Sequence, residues 1–289
     1  MAIVPTFTAP PLPPSPLDQL SEKSKLCIHR LRSCDVETPD LSSLPVSKLA
    51  AVLVLLYEKS GELRVLLTTR SKLLRSHPGQ TALPGGKVDV SDRSLIHAAL
   101  REAHEEVALP LSSPHVHTLC LLRPFLSASQ LLVTPVVALL TDISILDLLE
   151  PSPAEVDRIF DHPLEAILDP SLAKYEPLVP KQSEHWPYET EYYHPSDVPL
   201  PAFDNRVYRM HRFRSCASPV KGLTAEILIF IAEIAYGRAP TYELYSSGQS
   251  STAVTELVHI RMRQYQADFT LQQSKAQQAS VTPVVHAPV

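Results

Sequence analysis

The chain has 289 residues, 44% of them hydrophobic, and a net charge of −5 at pH 7. That length supports one domain with appendages and a sizeable core, and the acidic balance gives no basis for a polyanion partner, so no nucleic acid is expected. The longest apolar runs, 49–56 and 131–140, are too short to span a bilayer, so no membrane partner is expected either.

Taken in order, the chain opens on a proline-rich stretch, MAIVPTFTAPPLPPSP. It lacks the continuous apolar core of a signal peptide and reads as an extended arm. A helix is expected over 17–32, with Leu20, Lys23, Cys27 and Leu31 spaced for one face. Residues 46–57 and 63–69 read as two strands joined at Gly61, and 70–81 as a polar, basic loop holding Pro78-Gly79. After the turn Pro84-Gly85-Gly86 comes a helix over 94–107, with Asp92 or Ser94 as its cap. Leu95, Ala99, Ala103 and Val107 form its packing side.

Two more strands are expected at 116–124 and 131–140. Residues 169–204, rich in proline, tyrosine and acids, read as a long loop or insertion of the kind that is commonly functional. In that segment Trp186, Tyr188, Tyr192 and Tyr193 are either core aromatics or a stacking surface for a base. A strand at 207–214 precedes a helix capped by Thr224 and running through Ala235. Beyond Tyr245 the chain becomes a polar tail with a partial helix near 256–269. The organisation expected is therefore an arm and helix (1–45), a main domain (46–240) and a tail (241–289). The four cysteines lack metal-binding spacing and read as reduced thiols in an intracellular compartment. The chain ends Ala287-Pro288-Val289, without a Ser-Lys-Leu address, which leaves peroxisome, mitochondrion and cytoplasm all open.

The chemistry is concentrated in Arg101-Glu102-Ala103-His104-Glu105-Glu106. Residues three and four apart share a helical face, so Glu102, Glu105 and Glu106 are expected to project together. A charge run on a helix is by default a solvated face. Three carboxylates on one turn beside a Gly-Gly turn instead suit a hard divalent cation, which takes oxygen ligands and bridges to phosphate. Arg70, Arg75, His77 and Lys87 form a basic cluster nearby. Arginine suits phosphate through its paired donors, though each of these residues also reads as ordinary surface charge.

The segment resembles a Nudix box. Gly86, Arg101, Glu102, Ala103, Glu105, Glu106 and Leu109 fill that pattern, with Asp92 where glutamate is usual, one extra residue between Gly86 and Arg101, and Ala108 in place of a glycine. The upstream run LLTTRSKLLRSHPGQTALPGGKVD is similar to the signature of the coenzyme A diphosphatase family, with Leu83 replacing its phenylalanine. The resemblance implies a MutT-like α/β/α sandwich with a mixed sheet, and Mg²⁺ or Mn²⁺ as cofactor. It also implies cleavage of coenzyme A or acyl-CoA to 3′,5′-ADP and 4′-phosphopantetheine or its acyl form. On that basis Glu102, Glu106, Glu105 and the Gly86 carbonyl are the expected metal ligands. Glu105 is also the candidate general base, Arg101 a residue that holds a box glutamate in place, and Arg70, Arg75, His77 and Lys87 substrate contacts. Asp92 either pairs with Arg101 or caps the helix. Two other readings stay open: a Nudix hydrolase of another nucleoside diphosphate derivative such as ADP-ribose, and a non-catalytic nucleotide-binding Nudix domain.

Overall fold

The computed structural model describes residues 17–34, 39–200, 205–247 and 249–280. The proline-rich arm, residues 1–16, lies outside them.

Two long hydrophobic strands organise the molecule. β1 (Leu49–Lys59) and β7 (Leu132–Leu140) are apolar at almost every position and pair in parallel, Leu49 with Leu132 through Leu56 with Leu139. Strands covered on both faces need this continuous apolar composition, because neither side of the pleat meets water. β1 turns at Ser60-Gly61 into antiparallel β2 (Glu62–Arg70). β2 in turn pairs with β3 (Thr81–Ala82) and with β8 (Val156–Pro163). β5 (Val116–Leu121) and β6 (Phe125–Leu126) line β7, and β4 (Gly85–Lys87) returns beside the first residues of β1. The result is an eight-stranded mixed sheet.

The period of two along each strand divides the core. Val54, Leu56, Val137 and Leu139 face one side, where α1 (Glu22–Ser33) and α3 (Gly222–Tyr236) pack. Leu53, Leu55, Val136 and Ala138 face the other, beneath α2 (Leu95–Val107). The architecture is the expected α/β/α sandwich. Burial of Leu95, Ala99, Ala103 and Val107 on α2 is as expected, with Ala98 added.

Several local expectations change. The helix expected over 17–32 is interrupted: residues 17 and 18 are helical, the chain turns at 19–20, and α1 begins at Glu22, because Ser21 is extended and its side chain accepts the Ser24 N–H as a cap. Thr224 does not cap α3: Lys221 holds the cap position, and the Thr224 hydroxyl donates to the Thr81 carbonyl instead. The 169–204 segment contains β9 (Ser196–Leu200), paired with β10 (Arg206–Met210). Its Trp186 is fully buried and donates to the Thr190 carbonyl, so it is a core aromatic. The expected strand at 207–214 breaks at His211 into β10 and β11 (Arg212–Phe213), and β11 pairs with β12 (Val220–Lys221).

The expected polar tail carries α4 (Ser251–Ser280), far longer than the partial helix anticipated. Val258 and Tyr265 bury against the α2 side of the core, and Tyr265 donates its hydroxyl to the Gln130 carbonyl. None of the helices among the described residues is long and apolar enough to cross a membrane.

Candidate active site

The sheet edge at β4 and the C-terminal half of α2 build the site together. Gly85 has φ +151, and a Cβ there would lie 2.4 Å from the Ala51 carbonyl oxygen and 2.6 Å from Val52 Cα. Only glycine lets the backbone run this close to β1. A Cβ at Gly86 would instead meet the Glu102 carboxylate at 2.5 Å. The bare Gly85-Gly86 backbone is therefore the surface on which the box glutamates rest.

Glu106 is buried and accepts the Gly85 N–H at 3.2 Å. Burial pushes its carboxyl up to about 7, against the pull of that N–H and of Arg70, whose Nη1 lies 4.0 Å from Glu106 Oε1. Burial likewise raises Glu102, opposed by Arg101. Glu105 departs from the expectation of a shared face. Its side chain is 51% exposed and reaches Arg101 Nη1 at 3.1 Å, while Glu102 and Glu106 turn inward to the glycines.

Arg101 is the organiser. Its Nε and Nη2 both donate to Asp92 at 2.9 Å, its Nη2 to the Lys87 carbonyl at 3.2 Å, and its Nη1 to Glu102 at 2.9 Å. The open question about Asp92 is settled by this geometry: it pairs with Arg101, and Ser94 caps α2 by accepting the His97 N–H. Burial alone would raise the Asp92 carboxyl. Arg101, the Asp89 N–H and His97 outweigh it and hold the group at about 2. At the other end of the helix Ala108 adopts φ 56, ψ 27, and its N–H returns to the Ala103 and His104 carbonyls. A left-handed cap forms there although the residue is alanine.

The basic residues divide. Arg70 reaches the site, held by its Nε bond to the Ser76 carbonyl and facing Glu106. Arg75 and His77 are exposed on the 71–80 loop, His77 at φ 53. Lys87 is exposed, and its carbonyl accepts a hydrogen bond from Arg101. A fourth carboxylate, Glu155, raises both Glu102 and Glu106 through its charge. No spacing in the sequence connects it to the box; the fold carries it there on the loop before β8.

Among the described residues, no three acidic, histidine or cysteine side chains converge into a ready-made metal cage. Arg101 stands between Glu102 and Glu105 and neutralises part of their charge. The donor chemistry nonetheless fits a hard divalent cation: two carboxylates pushed up by burial, lying on a half-buried glycine turn, with oxygen as the ligand atom throughout.

Comparison with known proteins agrees with this geometry. The NUDIX domain model matches residues 47–181, which include β4, α2 and the loop carrying Glu155. Nudix hydrolase 15, mitochondrial, of Arabidopsis thaliana is 37% identical over 196 residues, covering 68% of this chain and 61% of that protein. Nudix hydrolase 22, chloroplastic, of the same plant is 36% identical, covering 68% of this chain and 58% of its own length. This chain thus spans about three-fifths of the length of those two relatives. An uncharacterized Nudix hydrolase NudL of Cronobacter sakazakii is 38% identical over 159 residues, 54% of this chain and 79% of that protein. With the box glutamates on the Gly85-Gly86 turn and relatives of this similarity, the chain belongs to the Nudix hydrolase family.

Proposed function

We propose that this chain hydrolyses the diphosphate of coenzyme A and its acyl derivatives, using Mg²⁺ or Mn²⁺. The products are 3′,5′-ADP and 4′-phosphopantetheine or its acyl form. The observation that carries the reaction is the meeting of Glu102 and Glu106 at Gly85-Gly86, with Glu105 on the same turn facing solvent. The substrate class is supported by the run 66–89, which surrounds that turn and resembles the coenzyme A diphosphatase signature.

Glu102, Glu106 and the Gly86 carbonyl would hold the metal, with Glu105 as a further ligand or as the base. A cation there supplies charge neutralisation at the phosphoryl oxygens and lowers the pKa of water. The protein supplies the rest. Glu105 is solvent-accessible and takes the proton of the attacking water as its oxygen bonds to phosphorus. The bridging P–O bond breaks, and the leaving phosphate keeps the electron pair. Arg101, fixed by Asp92, keeps Glu102 and Glu105 in register, as a supporting residue outside the metal's own ligands does. Arg70 meets the phosphates first, and Arg75, His77 and Lys87 are outer cations for the charge-rich substrate. An intracellular setting goes with this reading, the two plant relatives being named mitochondrial and chloroplastic.

The test is incubation of the purified protein with coenzyme A and Mg²⁺ or Mn²⁺, with Glu106→Gln alongside and the products resolved by chromatography. Release of 3′,5′-ADP by the wild type alone supports the proposal. Intact coenzyme A with cleavage of ADP-ribose or a dinucleotide discards the substrate class and keeps the reaction. Binding without any cleavage favours the nucleotide-binding reading.

A further inference from the structure

We infer that the cavity between β6 and α3 seats the nucleobase of the substrate, and that Arg123 and Glu226 read the edge of that base. The inference rests on the diphosphatase reading for the remainder of the ligand. The cavity is lined by Arg123, Phe125, Tyr208, Glu226, Phe230 and Gln249, among others.

Arg123 Nη1 is buried with no hydrogen-bond partner among the described residues. Its guanidinium lies 4.6 Å from the ring centroids of both Phe125 and Phe230, which meet edge to face at 5.8 Å. Aromatic faces hold the cation in place without using its hydrogen-bond donors. Glu226 sits on the same wall, bonded to Tyr208, and acts on Arg123 only through its charge. An unpaired buried donor is costly. Here it stands near a carboxylate acceptor that does not satisfy it.

A donor and an acceptor that share one cavity without touching complement a ligand edge carrying the reverse pair. Adenine, the base of coenzyme A, has that edge: ring nitrogens that accept and an amino group that donates. The Phe and Tyr side chains provide the stacking surface that bases use. The enclosed space is about 60 Å³, room for the edge of the ring, with its body in the mouth.

In the plane of the sheet the cavity lies near the Gly86 turn. Across the sheet, Lys87 pairs with Ala50, Ala50 with Val133, and Val133 with Phe125. Three strand spacings, about 14 Å in the plane of the sheet, separate Lys87 from Phe125, with the cavity on the α3 face and the box glutamates on the α2 face.

The test is calorimetric binding of adenosine 5′-monophosphate, purine riboside 5′-monophosphate (which lacks the amine) and ribose 5-phosphate. For the wild type, loss of the amine is expected to weaken binding on the order of 10-fold, and loss of the base to weaken it further. Arg123→Met should bind adenosine 5′-monophosphate on the order of 10-fold more weakly, with ribose 5-phosphate unchanged. Glu226→Ala should erase the preference for the amino base. Equal binding of all three by the wild type would overturn the inference and leave the cavity to water. The wild-type series decides this even if a variant fails to fold, which near-UV circular dichroism would reveal. Because binding is read without turnover, base selectivity without cleavage sinks the proposed reaction, and cleavage without base selectivity sinks the subsite.

Discussion

Replacing Asp92 by asparagine tests how the site is held together. The wild-type carboxyl is fully buried and bonded twice by Arg101. Its pKa falls from 3.8 to about 2, against the upward push of burial. That shift corresponds to about 2.5 kcal/mol of stability. Because the folded-state value is the lower one, the stabilisation is complete above pH 3.8 and is lost as pH falls through about 2. About half of it remains at pH 3. Removing one partner of a buried pair costs about 3–5 kcal/mol, since the other charge is stranded. Asparagine retains the shape, and Arg101 keeps Glu102 and Glu105 as partners, so a loss near the lower end, about 3 kcal/mol, is expected. Urea unfolding of wild type and Asp92→Asn at pH 7 and pH 3 measures it. The gap should narrow by about 1 kcal/mol at the lower pH. A variant as stable as wild type at pH 7, or a gap indifferent to pH, would refute the reasoning.

The two glycines of the turn should respond differently. Gly85→Ala drives a Cβ into the backbone of Ala51 and Val52 at positive φ, and thermal melting should show severe destabilisation. Gly86→Ala meets only the movable end of Glu102, so the fold should survive while Mg²⁺ titration and turnover show a weakened site. Ala108→Gly relieves the left-handed cap of α2 and should stabilise the protein by about 1 kcal/mol in urea unfolding. His162 is buried and, by that burial, pushed down from 6.5 to about 4. Its neutral form supports the fold above pH 6.5, and that support is lost as pH falls through about 4. Wild type should lose about 3 kcal/mol across this window from this group, whereas His162→Gln should show a flatter profile.

The sequence by itself determined the sandwich and the helix that carries the box glutamates. Unbroken apolar runs at 49–56 and 131–140 mark buried segments, read as strands, and the spacing of Leu95, Ala99, Ala103 and Val107 fixes which side of α2 packs. Periodicity and short motifs are local properties, so they survive without knowledge of the partner element. What the tertiary structure decided are contacts between segments distant in sequence or set by exact rotation. Spacing placed Glu105 with Glu102 and Glu106, yet only the position of β4 turns two of them inward and leaves the third to solvent. Glu155 and Arg123 enter the picture through loops and strand edges that no motif marks. The tail showed only a partial helix near 256–269, because among its described residues Val258, Met262 and Tyr265 are the apolar positions that pack on the core, too few to announce the full length of the helix until that core is in place.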